Sequence, residues 1–159
     1  MNKELLLFLH PAFGVFGIFS ALWVFVDALN ANEHNIKRIR IASFCVAFFM
    51  VATWIVGGYW YVTFYGAEKA IILKGPWSFA HNLFMEVKEH LFFAVLLLSL
   101  YLPVVAIGNN IYKNKVAKKM MLTVAGLIIV FSLLLESAGA IINSGVKLSL
   151  LQSISKEVK

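Results

Sequence analysis

The chain has 159 residues, 61% of them hydrophobic and 14% charged, with a mean hydropathy of +0.84. Soluble domains carry about 45 to 50% apolar residues, so this composition excludes a soluble globular protein. The net charge of +6 sits mainly in two short loops, which marks it as a topology signal and argues against a nucleic-acid partner.

Four apolar runs are each long enough to cross a hydrocarbon core of roughly 30 Å, which takes about 20 helical residues. They predict an all-α integral membrane protein, a four-transmembrane-helix up-down-up-down bundle forming one domain over residues 1–159. The helices are expected at about 5–29, 41–64, 77–108 and 120–143, followed by an interfacial or flexible tail, 144–159. Lys3 precedes an apolar stretch, as in a signal peptide, but the run is longer than the usual apolar region of one, so it is expected to remain as the first helix. The single cysteine, Cys45, lies inside the second run, which leaves no disulfide framework and no Cys-based metal motif.

In the first segment His10 precedes Pro11, where the missing backbone donor predicts a helix start or a kink. Gly14, Gly17 and Ala21 follow on the same side, a small-residue stripe that turns His10 toward another helix. His34, in the loop 30–40, reads as a solvated surface histidine. The second segment ends in Gly57-Gly58 and the aromatic cluster Tyr59, Trp60, Tyr61 and Tyr65, of the kind that settles at a membrane interface. The glycine pair leaves room for a backbone or a flat cofactor to approach. Residues 66–74 read as a short connection, and Gly75-Pro76 predicts a helix start near Trp77.

Loops 30–40 and 109–119 hold most of the loop Lys and Arg, so they are expected on the cytoplasmic side, with both termini outside. The corresponding location is a bacterial cytoplasmic (inner) membrane. Measured from the cytoplasmic end of each helix, His10, Gly57, His90 and Glu136 all stand about 17 residues up, at one level roughly 25 Å above the inner face. Glu86 and His90 are i,i+4 neighbours and able to share a ligand. His81, Lys88 and Glu89 flank them as secondary polar candidates. Ionisable groups at membrane depth usually face a bundle interior or a watery cavity, although an interfacial position would leave them simply solvated.

Three functions compete for this site. In the first, His10 and His90 are axial ligands of haem b in an electron-transfer subunit, with Gly14, Gly57 and Gly58 providing space, inside an assembly with other membrane redox subunits or quinone. In the second, His10, Glu86, His90 and Glu136 hold iron, zinc or manganese. In the third, Glu136, Glu86, His90 and Lys88 form a proton or ion relay with no bound cofactor, and a structural membrane subunit without a cofactor is the remaining alternative. No nucleophile elbow, phosphate-binding loop or metalloprotease helix is present, which favours a redox or accessory subunit over an independent enzyme.

Overall fold

A computed structural model describes residues 2–157 of the chain. Asn2 caps the first helix, its side-chain oxygen accepting from the Glu4 backbone N–H at 3.2 Å. Helix α1 then spans Lys3–Leu29 and continues through Pro11, instead of starting there. Helix α2 covers Ile36–Trp60, passes through a π-helical turn at Tyr61–Tyr65 and continues as α3, Gly66–Lys74. The expected connection over 66–74 is therefore helical. Gly66 stays in the helical region at φ −55° and ψ −40°, and the chain breaks only where Gly75 becomes extended before Pro76. Another π-helical turn, Ala80–Met85, leads into α4, Glu86–Gly108, and α5 covers Lys115–Glu157.

In the tail, α5 runs without interruption through residues 144–157, while 158–159 lie outside the described residues. Packing explains the course of this segment. A Cβ on Gly75 would overlap Ser149, one on Gly145 would lie 3.0 Å from the Ala80 Cβ, and the Ser149 hydroxyl donates back to the Gly145 carbonyl at 2.7 Å. Close contact with the 75–80 connection thus holds the 144–157 segment in place.

Helix α1 packs on α2 and α5, and α4 packs on the same two, so α1 and α4 stand diagonally across a four-helix bundle. The up-down-up-down order shows in the contacts at each end. Lys118 donates to the Leu29 carbonyl and Arg40 to the Ala106 carbonyl at one end, while Lys3 pairs with Glu68 at 2.8 Å at the end that carries both termini. Between the ends lies a core of Val24, Val46, Met50, Val95, Met121 and Ile128. The outside is apolar as well: Phe8, Phe19, Phe48 and Leu97 are all largely exposed. A soluble surface rarely tolerates so wide an apolar face. Four helical stretches, Lys3–Leu29, Ile36–Lys74, Ala80–Gly108 and Lys115–Ser155, are long and apolar enough to cross a membrane, and the exposed apolar belt is their contact with the lipid bilayer.

Candidate functional site

A cavity of about 380 Å³ opens among α1, α4 and α5 near the end that carries the termini. His10 from α1, Lys88 from α4 and Glu136 from α5 all line it, with Glu68 and Asn143 toward the bundle end. A second cavity of about 300 Å³ lies between α2 and α4 and shares His10, Trp60, Met85 and Lys88 as walls with the first.

Each of the three ionisable side chains rests against a glycine of another helix. A Cβ on Gly57 of α2 would lie 2.5 Å from His10 Cε1; one on Gly14 of α1 would overlap the Glu136 carboxylate; one on Gly139 of α5 would come within 3.1 Å of Lys88 Nζ. At Gly57 and Gly14 an added Cβ would force His10 or Glu136 to move, while at Gly139 the flexible end of Lys88 would need to give by only a few tenths of an ångström. Gly58 has open space beside it and lines only the second cavity.

Hydrogen bonding fixes the state of His10. Its Nδ1 lies 3.1 Å from the Thr53 carbonyl, which can only accept, so Nδ1 carries the proton and Nε2 is left for a further proton or a ligand. Lys88 and Glu136 share the cavity without closing an ion pair; among the described residues the ion pairs are Lys3–Glu68 and Arg38–Asp27. Lys88 also makes no hydrogen bond to a described residue. Thr53 Oγ1, Trp60 Nε1 and Ser132 Oγ are buried polar atoms with no partner, two of them on residues lining the cavities and the third one turn along α5 from Glu136.

The remaining sequence candidates go elsewhere. His90 is exposed, bonds to the Glu86 carbonyl of its own helix at 2.8 Å and lines neither cavity; Glu86 is likewise exposed. Glu89 reaches the second cavity only. His81 accepts or donates at 2.9 Å to the Tyr65 hydroxyl, in a small cluster between the two π-helical turns. His34 is exposed in its loop. The structure therefore brings together His10, Glu136, Gly14 and Gly57 with Lys88, one of the secondary candidates, on the wall where the sequence placed His90.

These positions also test the cofactors. The two axial histidines of a b-type haem bind its iron from opposite faces of the ring; His90 lines neither of the cavities that His10 lines, so the structure does not bring this pair to one ring. The metal set fares similarly: His10 and Glu136 supply two donors, Glu86 and His90 point away, and no group of three His, Cys, Asp or Glu side chains among the described residues is placed to hold an ion. The chain matches no known protein family, no characterised protein and no solved structure. What the site does must be argued from its own chemistry.

Proposed function

We propose that the protein is an accessory membrane subunit that exchanges protons with one side of the bilayer, through Glu136, Lys88 and His10, in support of a membrane redox reaction. The observation that carries this reading is the convergence of three ionisable side chains from three helices on one cavity that leads toward the end bearing the termini. Chains of acid, histidine and similar groups are the ordinary means of moving protons within a membrane. On the far side of the site the bundle is filled by Val24, Val46, Met121 and Ile128, and Ser20, Ser43 and Ser99 there donate back to carbonyls of their own helices. The site therefore serves one face and is not a through-channel. The redox partner is another membrane subunit or a quinone, in a bacterial cytoplasmic membrane, and the serviced face is the outer one by the distribution of Lys and Arg.

Infrared difference spectra of proteoliposomes, with pH changed on one side at a time, test this directly. A glutamate carboxyl band should follow the pH on the side of the termini. A band that follows the opposite side, or no titrating carboxyl at all, overturns the reading. Sidedness is read independently from Lys115→Cys in a Cys45→Ala background: an impermeant thiol reagent should label it only from the cytoplasmic side.

A further inference from the structure

At the end of the bundle opposite the His10 cavity, α4 and α5 leave a groove of about 250 Å³ between them. Tyr101 and Val104 of α4 and Val116 and Met120 of α5 form its walls, and Asn109 and Asn114 close it toward the loop. Val104 and Val116 are 62% and 74% exposed, so the groove opens sideways onto the apolar belt, and therefore onto lipid. The Tyr101 hydroxyl donates to Met120 Sδ at 3.0 Å and ties the walls together at the deeper end. From Tyr101 to Gly108 the groove follows about 10 Å of helix axis at 1.5 Å per residue. The two asparagines are already satisfied. Asn109 donates to the Val105 carbonyl, while Asn114 donates to Asn109 and accepts from the Val116 and Ala117 backbone N–H groups. They mark the level at which the apolar walls give way to polar surface.

Positive charge gathers at that level. Lys113 and Lys115 flank Asn114 in the chain and Lys119 precedes Met120, and all three are exposed. Arg38, Arg40 and Lys118 at this end are engaged with Asp27, the Ala106 carbonyl and the Leu29 carbonyl, whereas the ammonium groups of Lys113, Lys115 and Lys119 have no partner among the described residues. No acidic residue occurs between Glu89 and Glu136, so nothing on either wall offsets the charge. Lysines in a loop suffice to set topology; an apolar slot opening onto lipid beneath them is a separate feature.

We infer that the groove between α4 and α5 binds an anionic phospholipid, with one acyl chain along Val104 and Val116 and the phosphate head among Lys113, Lys115 and Lys119. Lysine clusters beside a membrane helix attract anionic lipid heads. Long lysine side chains also reach into the headgroup layer while their stems cover apolar surface. A water-soluble anion would leave the groove empty, and an acidic protein segment would make no use of a slot that faces lipid. The site is remote from His10, Lys88 and Glu136 and stands independently of the proposed function.

The test is native mass spectrometry of the delipidated full chain in detergent, titrated with dioleoyl phosphatidylglycerol or dioleoyl phosphatidylcholine. Phosphatidylglycerol should bind about tenfold more tightly, from the summed attraction of three lysines at a partly screened surface. The triple variant Lys113→Gln, Lys115→Gln, Lys119→Gln should lose that preference, and Val104→Trp, which fills the groove from an exposed position, should weaken both lipids. Lys37→Gln, on the helix diagonal to α5, should change neither. Thermal midpoints check folding, and graded losses in the three single lysine variants give the same reading should the triple variant not fold. Equal binding of the two lipids, or a preference that survives the lysine substitutions, overturns the site. So does an unchanged preference and affinity in Val104→Trp, which would mean charge attraction without the groove, or a loss in Lys37→Gln as large as in the triple variant. Displacement by glycerol phosphate or polyglutamate as readily as by phosphatidylglycerol would likewise overturn it, in favour of a soluble anion or an acidic protein.

Discussion

The Glu136→Gln variant is expected to keep its fold while releasing about one proton fewer per chain between acid and alkaline pH, because the amide holds no exchangeable acid. Glutamine has nearly the shape of glutamate, so the volume beside Gly14 stays filled and α1 and α5 keep their contact. Protonation and not packing is thereby isolated. The measurement is proton release in lightly buffered detergent, read with an indicator dye, alongside the thermal midpoint. If the variant releases as many protons as the parent, Glu136 does not titrate and the proposed function falls. Where proton transfer at the site can be timed, loss of the group should slow it by about a hundredfold, near the lower bound for a positioned acid or base.

The adjacent glycines Gly57 and Gly58 should respond in opposite directions to an added side chain. Gly57→Val drives a branched side chain into the His10 ring and strips the bond to the Thr53 carbonyl. Overpacking costs about 1 to 3 kcal/mol and the lost bond about 1, giving a loss of about 3 kcal/mol and a large drop in the detergent melting temperature. Gly58→Ala meets nothing within 4 Å. It should be neutral or gain up to about 1 kcal/mol, the difference in helix propensity between the two residues. Equal destabilisation by both substitutions would show that His10 does not lie where the structure puts it.

The bundle was readable because hydropathy alone marks segments of about 20 apolar residues. His10, Gly14, Gly57 and Glu136 were readable too: a proline fixed the first as unusual, small residues lined up with it, and a lone carboxylate in an apolar helix has few places to go. The third wall was harder. Grouping polar residues put Glu86, Glu89 and His90 inward, yet the buried stripe on α4 is Val95, Ser99, Leu102 and Ala106. Followed back at intervals of three and four, that stripe reaches Phe92 and then Lys88, leaving His90 on the outer side. The small and apolar residues, not the charged ones, carried the phase of the helix. The long α2–α3 helix and the ordered tail were hidden for another reason, since both depend on contacts distant in sequence, such as Gly75 with Ser149.

A cavity that opens at one end and stops at an apolar core also fixes how the site responds to membrane voltage. Glu136 stands about 17 residues, or roughly 25 Å, above the basic end of α5, close to the far edge of a core about 30 Å thick. A proton arriving from the end of the termini crosses about a sixth of the field, worth roughly 0.4 kcal/mol at 100 mV against about 2.3 for a full crossing. On the proposed function, proton exchange at this site would therefore be nearly insensitive to voltage and would run at much the same equilibrium in energised and de-energised membranes.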